Sequence, residues 1–293
     1  MFDAAVNGVM HDESISSSRA ASMSAADGEV PDRTPNLAPV RFAEIAEDIG
    51  APNPLDAGIA NVKFPVRRVR AGETLYRAGD RFDAIYIVRA GFFKTVCVEA
   101  NGVEQIMAFP MRGDAIGLDG VSGQRYRTET RALDTSLVVV VSLDRLASLA
   151  GAGGVAERLL HFIFSREMRR QQDMMLLLGS FSAEARVAAF LLQLADKFGR
   201  LGFSRTSYLL KMSRQEIGSY LGIKLETVSR TLSALASAGL IRVDQKSIRL
   251  LDAAALRERV VSNEDASRPA RPSHPSLRRA ASSAARAVAP ALA

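Results

Sequence analysis

A chain of 293 residues with 47% hydrophobic content is long enough for two domains with separate cores, and it is not disordered throughout. No apolar run approaches the roughly 18–20 residues that cross a bilayer, and no basic segment leads into an apolar one near the start, so no membrane association is expected and cytoplasmic residence is. One cysteine, Cys97, excludes an intramolecular disulfide and any cluster built on several thiolates of this chain. The formal net charge of +6 is uneven: residues 1–40 carry six acids against two arginines, and 266–293 carry five arginines and no acid. Residues 211–250 hold a local net +4, which suits a polyanion partner and equally a solvated face.

In chain order, residues 1–38 are rich in Ser, Ala, Asp and Pro without periodicity and read as a disordered arm. VRFAEIAEDIG predicts a short helix ending at Gly50. From about Asn61 to Ser142 the texture is short β-rich runs separated by glycine-containing turns: VKFPVRRV, ETLYRAGD, AIYIVRAG, FFKTVCVEANG, VEQIMAFPMRGD and SLVVVVSL. That pattern predicts a barrel or sandwich domain over 39–150. Beyond SLDRLASLAGAGG the period turns helical. Phe164, Met168, Gln171, Met175 and Leu178 follow a heptad spacing, a seam through which two copies of a helix over 151–181 can pair; packing of that helix on its own barrel is the alternative.

AEARVAAFLLQLADKFGRLG predicts an amphipathic helix closed by Gly199 and Gly202, and YLLKM a strand. Ser213 and Glu216 make a capping box that starts the next helix at Arg214, and Gly222 ends it in a tight turn. KLETVSRTL opens a second helix, closed by Gly239, and LIRVDQKSIRLLD reads as a hairpin. The whole is a winged helix-turn-helix over 182–263, followed by a basic disordered tail over 264–293. On the second helix Leu225, Val228, Leu232 and Leu235 share an inward face, while Glu226, Ser229 and Arg230 share an outward one. Arginine bonds guanine O6 and N7, a carboxylate accepts from cytosine N4, and serine serves several base edges, so this trio can read adjacent base pairs. An ion pair between Glu226 and Arg230 on a solvated helix is the bland alternative.

These segments resemble the CRP/FNR superfamily of bacterial transcription regulators, the FNR and FixK-like branch in particular. The carriers are AGETLYRAGD and AIYIVRAGFFKT, GDAIGLDG with ALDTS after it, QQDMMLLL, and MSRQEIGSYLGIKLETVSRTL, whose Glu226, Ser229 and Arg230 match the branch's Glu-x-x-Ser-Arg. The resemblance implies an α+β fold: a cyclic-nucleotide-binding-type β-roll (a jelly roll), a long dimerisation helix and the winged helix-turn-helix. It further implies a homodimer on double-stranded DNA with TTGAT half-sites, RNA polymerase as a partner, and an activator's role in low-oxygen or nitrogen-oxide metabolism. Lys224 departs from the Ser or Thr that relatives place at the helix start. Its side chain cannot cap amides, so water, a phosphate or a shifted start must do so; its ammonium can instead meet backbone phosphate alongside Ser213, Arg214 and Thr227.

The effector machinery of relatives is mostly missing. The places that hold the cyclic phosphate and ribose fall on Leu118, Tyr126 and Arg127, which makes cyclic AMP an unexpected ligand, with Asp119 leaving room for a gapped alignment. An iron–sulfur cluster needs about four thiolates, and the cluster cysteine of the roll corresponds to Val139. Haem has one folded histidine to use, His161. Cys97 sits in an alternating run as an expected buried strand residue, with a redox role as the alternative. No cofactor and no metal are therefore expected. An enzyme of the cupin type would need metal ligands inside the roll, and residues 61–150 contain no histidine.

Overall fold

A computed structural model describes residues 37–51, 60–98, 102–145 and 154–266. The expected arm and tail lie outside these residues except at 37–38 and 264–266. The fold is α+β. Strand β1 (Val40–Arg41) leads into α1 (Phe42–Asp48), after which the chain turns at Gly50, and pairs with β2 (Lys63–Phe64). Pro65 lacks an amide hydrogen and separates β2 from β3 (Val66–Val69).

The roll continues with β4 (Thr74–Tyr76), β5 (Ala84–Ala90), β6 (Phe93–Val98), β7 (Glu104–Ala108), β8 (Ala115–Ile116), β9 (Glu129–Ala132) and β10 (Ser136–Ser142). They form two four-stranded antiparallel sheets, ordered β3-β10-β5-β8 and β4-β9-β6-β7. Strand β5 sits between β8 and β10, so its apolar run AIYIV is buried almost residue by residue; β7 is an edge strand. Val69, Ile87, Phe93, Val138 and Val139 fill the space between the sheets.

The long helix α2 (Val155–Ser180) packs Ile163 into the roll core and Leu177 into the core of the C-terminal domain. After Phe181, α3 (Ala183–Arg200) is capped by Ser182, whose hydroxyl accepts from the Ala185 amide; the helix runs through Gly199 rather than stopping there. Strand β11 runs Ser207–Leu209 and so takes in only the first two residues of the YLLKM stretch. The helix-turn-helix is α4 (Arg214–Leu221) and α5 (Leu225–Ser237), and the wing is β12 (Ile241–Asp244) with β13 (Ser247–Leu250), in a sheet ordered β11-β13-β12. Gly222 takes φ 63 at the turn, and a Cβ on Gly218 would lie 2.6 Å from the Ile223 carbonyl oxygen. Both glycines are thus required for α5 to leave α4 so abruptly. The final helix, α6 (Ala253–Ala266), packs on α3 and went unannounced by the sequence pattern.

The C-terminal core does not stop at the domain boundary. Val96, Ile106 and Phe109 of the roll belong to the same apolar cluster as Phe190, Ile217, Leu221 and Val228.

Candidate nucleic-acid interface

The capping box forms: Ser213 Oγ accepts from the Glu216 amide at 3.1 Å, and Glu216 Oε2 accepts from the Ser213 amide at 2.7 Å. This fixes the first turn of α4 and presents Ser213 and Arg214 to solvent. Burial alone would raise the Glu216 carboxyl, but Lys94 and the Ser213 amide more than offset it and hold the group below the usual carboxylate range. At the start of α5 the Lys224 side chain makes no cap and stands exposed, and Thr227 is half-buried one turn on.

On α5, Val228, Leu232 and Leu235 are buried as expected. Leu225 is not: at the first helical position it extends past the core and is 42% exposed. The outward face carries exposed Glu226 and Arg230 with half-buried Ser229 between them. Glu226 and Arg230 do not pair through their charged groups; Arg230 Nε instead donates to the Glu226 backbone carbonyl at 3.4 Å. The Glu226 carboxylate has no ion-pair partner among the described residues and is free to accept. Ser229 Oγ accepts from Arg214 Nη1 at 3.4 Å, a link between the two helices that helical spacing could not reveal. Beside them a groove runs between α4, α5 and the wing, lined by Ser213, Arg214, Val243, Gln245 and Lys246; Gln245 takes φ 50 at the wing tip. Three donor side chains at 213–214 and 246, with no carboxylate in that lining, suit a phosphodiester backbone.

The heptad residues fall on one uncovered side of α2. Met168 and Met175 are 62% and 74% exposed, Leu178 and Gln171 are exposed, and Phe164 is half-buried. Gln171 Nε2 donates to Glu167 Oε1 at 3.2 Å. The opposite side packs on the roll through Ile163, so the helix both packs on its own roll and leaves the seam free.

Inside the roll, Tyr126 is 2% exposed and stacks on Tyr76 with ring centroids 3.9 Å apart, while the Tyr86 ring lies against both, 5.9 Å from Tyr76 and 6.5 Å from Tyr126. Burial pushes the Tyr126 phenol far above its ordinary range; its hydroxyl is 2.7 Å from the Ala84 carbonyl oxygen. Asp119 accepts from the amides of Arg127 and Thr128 and from the Thr128 hydroxyl, at 2.9–3.0 Å. The loop where relatives hold a cyclic phosphate is therefore filled by a carboxylate of the chain and walled by tyrosine, and these residues do not fit a cyclic nucleotide. Nor does one cysteine fit an iron–sulfur cluster. Cys97 is half-buried rather than buried; the buried residue beside it is Val96, on the sheet face that packs against the C-terminal core. His161 is exposed on α2, and no group of three or more metal-ligating side chains occurs among the described residues.

The chain matches the Crp-like helix-turn-helix domain family over residues 185–259 and the cyclic nucleotide-binding domain family over 66–152. It is 39% identical over 191 residues to the transcriptional regulatory protein btr of Bordetella pertussis, covering 65% of this chain and 79% of that one. It is 40% identical over 190 residues to the transcriptional activator protein FnrA of Stutzerimonas stutzeri, covering 65% and 78%. Among solved structures, FixK2 from Bradyrhizobium japonicum superposes with a TM-score of 0.61 at 32% identity, over 67% of this chain and 97% of that one. No helix among the described residues is long and apolar enough to cross a membrane. With a roll, a long helix and a winged helix-turn-helix in this order, and relatives that align along most of their length, the chain belongs to the CRP/FNR superfamily, in its FNR- and FixK-like branch, and is a DNA-binding transcription regulator.

Proposed function

We propose that the protein acts as a homodimer that binds an FNR-type palindrome of TTGAT half-sites and activates transcription through contact with RNA polymerase, in low-oxygen or nitrogen-oxide metabolism, without a nucleotide, cluster or haem. Glu226, Ser229 and Arg230 read bases; Ser213, Arg214, Lys224 and Thr227 hold phosphates; Phe164, Met168, Gln171, Met175 and Leu178 form the dimer seam. The observation that carries the reading is the outward face of α5, where Glu226 and Arg230 stay apart with their charged groups available. A two-fold pair of such faces one helical turn of DNA apart reads an inverted repeat. Independence from an effector is supported by the tyrosine-filled roll and by Asp119 on the loop amides.

The test is selection of bound duplexes from random sequence with purified, air-exposed protein and no added nucleotide. The expected result is an inverted repeat of TTGAT-type half-sites. Recovery of unrelated sequence, or of any sequence only after cyclic AMP is added, overturns the reading.

A further inference from the structure

The roll grips the DNA-binding domain at two separate places. At the first, Asp114, in the turn between β7 and β8, is buried among cations from two other elements: Lys197 Nζ of α3 at 2.6 Å, and Arg166 and Arg170 of α2 at 3.6 and 3.9 Å. Its carboxylate also accepts from the Met111 amide at 3.0 Å, and Arg166 donates to the Ile49 carbonyl at 2.6 Å and to that of Gly113. One carboxylate thus joins roll, long helix and the first helix of the DNA-binding domain. Pulling them apart would strand a buried charge.

At the second place the β6–β7 hairpin lies on α4. Lys94 Nζ meets Glu216 Oε1 at 2.8 Å, the Ile106 amide donates to Ser219 Oγ at 2.9 Å, and Gln105 Nε2 donates to the Ser219 carbonyl. Phe109 packs edge-on to Tyr220, which packs in turn on Phe190. Glu216 is also the capping-box residue of α4, so the roll touches the reader within one turn of Ser213 and Arg214.

We propose that these two grips are positioning devices that set half-site spacing: they fix the distance of α5 from the seam of α2, and so the number of base pairs the dimer accepts between its half-sites. The inference rests on the homodimeric reading above. In such a dimer the two-fold axis follows the seam, and successive base pairs step along and around the duplex, with about 10–10.5 per turn. A reader held rigidly relative to the seam tolerates one spacing; a reader on a loose tether tolerates several. Direct readout by Glu226, Ser229 and Arg230 is unaffected by either grip.

The experiment selects from a library with two fixed half-sites and a spacer of variable length, using wild type, Asp114→Asn, and the double variant Lys94→Met with Gln105→Ala, which keeps the buried junction intact should Asp114→Asn fail to fold. Each is also titrated on a single half-site. Wild type should prefer one spacer over its neighbours by roughly tenfold, the scale of one mismatched base pair. The variants should lose most of that preference while keeping the same base preference and single-half-site affinity. Folded variants with undiminished spacing preference, or with altered base preference, overturn the proposal. A wild-type protein that recovers no paired half-sites sinks the dimer reading itself and this inference with it.

Discussion

Arg214 Nη1 lies 3.4 Å from Ser229 Oγ, so the first turn of α4 reaches the outward face of α5. A guanidinium only donates, and Ser229 therefore accepts from it, which polarises the serine hydroxyl toward donating elsewhere. Such a hydroxyl favours acceptor edges, such as thymine O4 or a purine N7, over the amino groups of cytosine and adenine. Arg214→Met is expected to weaken binding on all DNA and, in addition, to blunt discrimination at the same base pair that Ser229→Ala blunts. A double-mutant cycle on specific duplexes should show coupling of about 0.5 kcal/mol or more. Additive effects would leave Arg214 as a phosphate contact only.

Arg230 and Lys224 are expected to fail in different ways. Arg230→Ala should cost about 1–3 kcal/mol on a TTGAT-type site and flatten discrimination at the guanine. Lys224→Ala should weaken all sites alike and lower the slope of log affinity against log salt by about one unit. Fluorescence anisotropy on specific and scrambled duplexes across a salt series separates the two outcomes; equal losses on both duplexes for both variants would reverse the assignments.

What was legible in the sequence follows from the range of the interactions. The capping box at Ser213 and Glu216, the turn at Gly222 and the wing are local patterns, and all three form. The heptad on α2 is also local, and it lies uncovered. The misses are long-range or depend on position at the end of an element. Lys94 meets Glu216 across 122 positions and Lys197 meets Asp114 across 83, separations that no periodicity spans. On β6 the second face, carrying Val96, is buried by the distant C-terminal core while Cys97 is left half-buried, and position at the helix end, rather than the helical face, left Leu225 exposed. The tyrosine stack joins residues from two strands and a loop, so nothing in AIYIVRAG or GQRYRTE announced it.

Asp114 carries a pH dependence. Burial alone would raise its carboxyl, but Lys197, Arg170 and Arg166 outweigh that and lower it to about 2, from the usual 3.8. A depressed carboxyl contributes stability that is complete above its unfolded pKa and is lost as pH falls through its folded one. The contribution, on the order of 2 kcal/mol, should be whole above about pH 5 and should dwindle toward pH 2. The stability gap between wild type and Asp114→Asn, from denaturant melts, is expected to be largest at neutral pH and to narrow on acidification. A gap that stays constant from pH 7 to 3 would deny the carboxylate this role.

The last expectation concerns pairing of α2. Two methionines and a leucine left open on a helix whose other side is already packed form an apolar stripe suited to a second copy of itself, and the heptad spacing matches a two-helix seam. Mid-stripe stands Gln171, uncharged and able to hydrogen-bond a symmetry-related glutamine, so these positions contain no repulsive charge that an effector would have to neutralise. The protein should be dimeric at micromolar concentration under air and without nucleotide. Gln171→Asp would set two like charges close together at a partly dry seam, a penalty of about 1 kcal/mol or more, compounded within each helix by Glu167 one turn away, whose carboxylate Gln171 now hydrogen-bonds. That variant should shift toward monomer in analytical ultracentrifugation and bind a two-half-site duplex more weakly, with single-half-site binding retained. Gln171→Asn keeps the seam neutral and should stay dimeric, which distinguishes charge from simple disturbance of packing. Wild-type protein that sediments as a monomer until some ligand is added would place the control of pairing in the roll after all.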